Sequence, residues 1–308
     1  MGEPTVARAS RAGGGPAGSP AGPRLLLIDG SSYLFRAFHA LPPLSDSRGR
    51  PTGAAFGFTT MVQKLLREWD PAAVGVAFDP PGPTERHALF EAYKANRPEM
   101  PEALAAQLPL VHRVVEGFRI ARLVAPGHEA DDLLGTLGLR ALAEGYEVIL
   151  VTGDKDMLQL VRPGLTVYDS MRGRRFGPGE VRERYGVPPE RMVDLMALMG
   201  DAIDNIPGVR GIGEKTARAL LEAHGSLDDL LANLEAVGRP KLRQLLAEQA
   251  ETARLSRRLA TIRTDLDLAV RPADLARAEP DREALLALFR ELEFHRLAAG
   301  FGEGAAGE

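Results

Sequence analysis

The sequence predicts an α/β domain on a mostly parallel sheet with flanking helices, followed by a smaller α-helical region. Three observations predict it. Short apolar runs alternate with helical patterns through the first 186 residues. Three of those runs close on an aspartate. From about Val187 the chain reads as one helix after another. Strand alternating with helix implies parallel strands with helices on both faces.

RLLLIDG (24–30) is a short apolar run ending in Asp29 and reads as a buried strand. AAVGVAFD (72–79) repeats the design and ends on Asp79. YEVILVTGDKD (146–156) does so again and delivers Asp154 and Asp156. Between them GFTTMVQKLLREW (57–69) and DDLLGTLGLRALAEG (131–145) carry helical periodicity. The later part offers PERMVDLMALMG, EKTARALLEAHG, SLDDLLANL and the long stretch RPKLRQLLAEQAETARLSRRLATI as helices. Residues 1–23, rich in Gly, Ala, Pro and Ser, read as a disordered leader without a secretory h-region, and 302–308 as a flexible tail. The expected division is therefore 24–186 for the α/β domain and 187–301 for the helical region.

Composition narrows the function classes. Of 308 residues, 44% are hydrophobic and 26% charged, an ordinary globular balance that can bury one large core or two smaller ones. Cysteine is absent, which excludes disulfides and thiolate metal sites. No apolar run approaches the ~20 residues that span a bilayer, so no membrane partner is expected. The formal charge of -4 argues weakly against bulk electrostatic attraction to nucleic acid.

In parallel sheets ligands bind outside the carboxyl ends of the strands. Asp29, Asp79, Asp154 and Asp156 fall there. HEADDLLGT (128–136) adds Glu129, Asp131 and Asp132 at the head of an apolar segment. GDAIDNIPG (200–208) adds Asp201 and Asp204, whose i, i+3 spacing would put both on one helical face. Each acid alone has an ordinary explanation as a turn residue, a cap or a partner of the helix dipole. Gathered at one edge, they would repel one another and raise their pKa values. Divalent cations remove that conflict. Mg²⁺ and Mn²⁺ prefer oxygen ligands, and paired ions serve displacement at phosphorus. Zinc fits less well, because no H-x-x-x-H pair occurs and His128 beside Glu129 suits only an outer role.

Phosphate chemistry also needs cations. The Pro-bounded segment 80–103 follows Asp79 and carries Arg86, Tyr93, Lys94 and Arg97, with Lys94 and Arg97 expected on one helical face. It reads either as a solvated surface helix or as a lid with phosphate-binding cations. Arg36 is a further candidate. IPGVRGIGEKTA (206–217) joins two helical stretches through a Gly-rich turn. It does not follow a strand, so it is no dinucleotide fingerprint. The N–H groups at the start of its second helix could hold a phosphate.

The motifs LLLIDGSSYLFRAFHAL, VAFD, YKANRP, GHEADDLLGTL, VTGDKDMLQL and GDAIDNIPGVRGIGEKTA together resemble the 5′-nuclease domain of bacterial polymerase I, within the flap endonuclease and 5′→3′ exonuclease superfamily. The resemblance runs from about Arg24 to Phe301. It implies a PIN-like fold with a helical arch near 80–108 and a helix-three-turn-helix near 194–224. It implies that Asp29, Asp79, Glu129, Asp131, Asp132, Asp154, Asp156, Asp201 and Asp204 hold two or more Mg²⁺ or Mn²⁺ ions. Lys94, Arg97 and Arg36 would act on the scissile phosphate. Arg86, Tyr93, Gly208, Gly211, Gly213, Lys215 and Thr216 would contact DNA, and the Val209 and Ile212 carbonyls would bind K⁺. The implied substrates are DNA 5′ ends, flaps and single-strand/duplex junctions, with hydrolysis serving replication and repair. The implied setting is a monomer in the bacterial cytoplasm at the nucleoid, with a polymerase in cis or in trans. Setting the nine acids aside leaves 33 acidic against 38 basic residues, so a metal-loaded protein need not repel DNA. A catalytically weak junction-binding module and an RNA-cleaving PIN-type nuclease are the alternatives.

Overall fold

The computed structural model describes residues 22–302; the expected leader and tail lie almost wholly outside them. Six strands form one sheet: β1 (Arg24–Asp29), β2 (Ala73–Ala77), β3 (Ala121–Leu123), β4 (Glu147–Val151), β5 (Leu165–Asp169) and β6 (Arg174–Phe176). Their order is β3-β2-β1-β4-β5-β6. The first five are parallel, and β6 runs antiparallel to β5. The three expected strands are the three at the centre. Missed were β3, β5 and β6, which lack a long apolar run.

Helices cover both faces. α1 (Gly30–Ala40), α2 (Gly53–Trp69), α3 (Glu85–Leu89), α4 (Glu102–Ala105), α5 (Leu108–Gly117), α6 (Ala130–Ala143) and α7 (Pro178–Tyr185) belong to the α/β part. Then come α8 (Met192–Met199), α9 (Glu214–His224), α10 (Leu227–Ala232), α11 (Pro240–Glu248), α12 (Ala250–Ala260), α13 (Arg282–Glu291) and α14 (His295–Gly302). Alternation along β1 divides the core. Leu26 and Ile28 face α1, α2 and α5, whereas Leu25 and Leu27 face α6. The α6-side core runs without a break into Leu195, Leu220, Leu227 and Leu246, so the helical region docks through shared apolar surface.

Three local expectations are corrected. The stretch 239–262 is two helices, because the chain turns at Gln249, whose side chain accepts the Arg210 amide at 2.8 Å. The last two helices do not stay with the helical region: Leu285, Leu288 and Phe289 return to the α1/α2/α5 core. Arch residues 90–97 form turns rather than a helix, and Lys94 has a left-handed backbone (φ 55°). No helix among the described residues is long and apolar enough to cross a membrane.

Candidate active site

Sheet order reverses at β1, which lies between β2 and β4. Crossovers leave on opposite sides there, and a crevice opens at the carboxyl ends of the strands. Asp29, the last residue of β1, caps α1 by accepting the Ser32 amide at 2.9 Å and also accepts the Thr152 hydroxyl at 2.8 Å. Asp79, just past β2, accepts the Ala130 amide at the start of α6 at 2.9 Å. Asp131 lies in the first turn of α6, and Asp154 follows β4. These four acids line one cavity of about 360 Å³ with Ser31, Phe35, Lys94 and Arg97.

The crevice disfavours charge on Asp29, Asp131 and Asp154. Burial pushes Asp29 up to about 7, aided by the negative charge of Asp79. Asp131 is held well above the carboxylate range by desolvation and then by Asp154, Asp29 and Asp79. Desolvation also raises Asp154, and it raises Asp156 strongly. Asp156 is buried, and its Oδ1 accepts no hydrogen bond, although Lys155 Nζ lies 3.6 Å away.

The other acids are matched with cations. Asp132 is bound bidentately by Arg86, with both contacts at 2.7 Å, and also accepts the Arg263 amide at 2.9 Å. Arg86 further donates to the Leu259 and Thr261 carbonyls at 2.9 and 2.8 Å. Glu129 receives Lys94 Nζ at 2.9 Å and the Tyr93 hydroxyl at 3.1 Å. Asp204 is paired with Arg97, lies 3.8 Å from Lys94 Nζ and accepts the Tyr93 hydroxyl at 3.3 Å. Asp201 is paired with Lys155 and accepts the Ile203 amide at 2.8 Å.

This placement corrects several expectations. Asp132 is not free to bind a metal, because its oxygens are spent on Arg86 and two backbone amides. Arg86 and Tyr93 are 7% and 3% exposed, so neither presents itself to DNA. Asp201 and Asp204 share a tight turn closed by the Asp201–Ile206 bridge, not a helical face. His128 Nδ1 lies 3.8 Å from Glu85. Among the described residues, no three His, Asp or Glu side chains stand close enough to hold an ion as placed. The donor set nevertheless fits a hard divalent cation. It is all oxygen and crowded, burial raises Asp29, Asp131, Asp154 and Asp156, and the Asp156 Oδ1 accepts no hydrogen bond.

A second cavity of about 550 Å³ shares Ser32, Asp154 and Ile203 with the first. Arg36 lies here, bound to Asp169 at 3.1 Å, with Lys155, Arg172, Arg174 and Arg184. Ile203, 68% exposed, stands between the two cavities. Sequence reasoning passed over Lys155 and Ile203, although both sit inside the quoted motifs.

The glycine-rich turn 200–213 links α8 to α9. Gly208 has φ 61°, and a Cβ there would meet the Gly200 amide nitrogen at 2.3 Å, so only glycine fits. Its amide donates to the buried Ser256 hydroxyl at 3.0 Å. Val209 and Ile212 are buried anchors, and the Val209 carbonyl accepts the Ile212 amide at 2.9 Å. Gly211, Gly213 and Lys215 are exposed, and Thr216 is half-buried. The start of α9 is thus presented to solvent beside the turn.

A parallel α/β sheet, an acid-lined crevice at its switch point and a glycine-rich helical hairpin alongside define a resolvase-like nuclease architecture. The chain belongs to the 5′-3′ exonuclease family: the N-terminal resolvase-like domain matches over 24–186 and the C-terminal SAM fold over 187–283. It is 48% identical over 277 residues to DNA polymerase I of Pseudomonas aeruginosa, covering 88% of this chain and 30% of that protein. It is 48% identical over 279 residues to the thermostable DNA polymerase I of Thermus filiformis, covering 91% and 33%. The chain therefore spans about a third of the length of these relatives. Among solved structures, bacteriophage T5 5′-exonuclease with bound zinc superposes with TM-score 0.66 at 21% identity, over 91% of this chain and 98% of that one. The catalytic core of Rad2 in complex with DNA superposes with TM-score 0.59 at 16% identity, over 88% of each. Both show the shared fold.

Proposed function

We propose that the protein is a metal-dependent 5′ nuclease that hydrolyses DNA phosphodiesters at 5′ ends, flaps and single-strand/duplex junctions in replication and repair. The observation that carries this reading is the crevice itself, where Asp29, Asp79, Asp131 and Asp154 face Lys94 and Arg97 across one cavity. The same four acids, with Asp156, would hold Mg²⁺ or Mn²⁺. Glu129, Asp201 and Asp204 would join once their cations are exchanged. Bound divalent ions would supply an activated water and stabilise the attacking and leaving oxygens.

The chain's own groups set the rest. Lys94 and Arg97 neutralise Glu129 and Asp204 and line the same cavity, so a phosphate entering it meets both cations. They would offset charge as it develops on the phosphoryl oxygens. Arg36 stands on the adjoining cavity and would take the strand beyond the cut. The exposed α9 start, with Lys215, would grip duplex phosphates through its N–H groups. K⁺ at the Val209 and Ile212 carbonyls would extend that grip. The relatives support a polymerase in cis; a monomer in the bacterial cytoplasm completes the reading. The deciding measurement is cleavage of a labelled 5′-flap DNA with Mg²⁺ and then with EDTA. Cleavage that EDTA abolishes is expected. Binding without cleavage would make the protein a junction-binding module, and cleavage of RNA alone would make it an RNA nuclease.

A further inference from the structure

Asn96 and Asn205 form a reciprocal clamp between the arch segment and the turn that carries Asp201 and Asp204. Asn96 Nδ2 donates to the Ala202 carbonyl at 2.6 Å. Asn205 Nδ2 donates back to the Ala92 carbonyl at 2.6 Å. Between these bonds the Lys94 amide donates to the Asp204 carbonyl at 2.9 Å. Two loops more than a hundred residues apart are thus sewn together through backbone carbonyls on each side. Lys94 and Asn205 both have left-handed backbones, at φ 55° each. Such a conformation costs a non-glycine residue energy and persists only where its surroundings fix it, although asparagine tolerates it better than lysine. The disfavoured backbone state of Lys94 thus lies between the two asparagine bonds, with its own amide bonded to the Asp204 carbonyl.

That backbone state aims Lys94. Its Nζ lies 2.9 Å from Glu129 and 3.8 Å from Asp204, and Arg97 reaches Asp204 from three residues on. Both clamp bonds end on main-chain oxygens, so exchange of cations at the carboxylates would leave the clamp in place. We infer that Asn96 and Asn205 are positioning residues that fix the arch turn so that Lys94 and Arg97 face the acid crevice. The inference rests on the proposed nuclease function for its catalytic consequence and on geometry alone for the clamp.

Two readouts test it separately. Asn205→Gly keeps the left-handed backbone at ease and removes the donor. Asn96→Ala removes the other. In the full-length, metal-free protein each should raise the rate of trypsin cleavage after Lys94 by about three- to tenfold, the effect of one hydrogen bond on a local opening. The melting temperature should move little. Unchanged cleavage after Lys94 in both variants would overturn the clamp, whatever the enzyme does. In single-turnover cleavage of a 5′-flap, each variant should slow the reaction about three- to tenfold, and the loss should vanish in a Lys94→Ala, Arg97→Ala background. Faster trypsin cleavage with an unchanged rate, or equal rate losses in both backgrounds, would overturn the positioning role. If the wild-type protein cleaves no flap, the nuclease reading fails and the trypsin result still decides the clamp.

Discussion

On one side of the crevice Asp29, Asp79, Asp131 and Asp154 line a cavity, and no salt bridge reaches them among the described residues. On the other side Glu129, Asp132, Asp201 and Asp204 are each paired with Lys94, Arg86, Lys155 or Arg97. The fold has settled the repulsion of these eight acids in two ways, and the ninth, Asp156, is buried with Lys155 Nζ 3.6 Å away. Three of the bare acids avoid charge: Asp29, Asp131 and Asp154 are all raised by burial. The paired acids borrow a cation from the chain. A divalent ion entering the bare side competes only with protons, whereas one entering the paired side must displace an ammonium or guanidinium group.

The largest expected effect breaks the comparison at its centre. Asp131→Asn removes a carboxylate that no chain cation replaces. Single-turnover flap cleavage should fall about 10³-fold or more, and added Mn²⁺ should not restore it. Asp204→Asn removes an acid that already has a partner, so a smaller loss, partly recovered at high metal, is expected because occupancy follows mass action. Equal, unrecoverable losses in both would mean that the two sides act as one cluster. Next comes Lys94→Ala, which removes the cation that borders both sides. Cleavage should slow about 10²-fold, like the loss of one oxyanion donor, with flap affinity changing far less. A loss confined to affinity would leave Lys94 a steering residue only.

The division between bare and paired acids was only half legible in the sequence. Asp29, Asp79 and Asp154 could be placed, since each follows an apolar run of strand length and parallel sheets gather such ends together. The partner of each masked acid could not. Arg86 and Asp132 are 46 residues apart, and their pairing depends on how the arch folds back over α6. The 201–204 spacing suggested a helix because i, i+3 is all that spacing can say. The Asp201–Ile206 bridge and the left-handed Asn205 are set by packing against the arch. The short strands β3 and β6 carry arginine in place of an apolar run, so no periodicity announces them.

Stability sharpens the paired side. Arg86→Ala would leave Asp132 buried without its cation, and breaking such a pair costs about 3–5 kcal/mol. Thermal or denaturant unfolding should show a loss of that size. A loss below about 1 kcal/mol would mean that Arg86 is an ordinary surface arginine.

The bare side predicts a dependence on pH. Asp29 has a folded pKa of about 7 against 3.8 when free, so its folded form holds the proton more tightly. The stability this provides is complete below the unfolded value and is lost as pH rises through about 7. Glu291, lowered to about 2 by Arg113 and Arg50, works the other way only at more acid pH; His112, lowered by burial, works the other way within the window, as one imidazole against the raised Asp29, Asp131, Asp154 and Asp156. The metal-free protein should therefore melt higher at pH 5.5 than at pH 7.5, by a few degrees. Asp29→Asn should narrow that gap, and Mn²⁺ at pH 7.5 should close it. A metal-free protein more stable at pH 7.5 would show that the crevice carboxylates are ionised without strain.

The smallest effect lies outside the crevice, and it tests whether the comparison ends where the acids end. Lys215 is exposed in the first turn of α9, beside the turn fixed by Gly208 and Ser256, and no ion pair reaches it among the described residues. It has no carboxylate to leave. If it contacts one duplex phosphate, Lys215→Ala removes one released counterion. The slope of log affinity against log salt should then flatten by about one unit. The loss should be uniform across sequences and confined to substrates with duplex. Cleavage of bound substrate should keep its rate, since the lysine touches neither half of the acid cluster. An unchanged slope would move the duplex contact to the basic cavity around Arg36 and Arg174 and bring DNA grip and acid crevice together on one surface. A slower cleavage step at saturating DNA would show instead that the hairpin helps place the scissile phosphate.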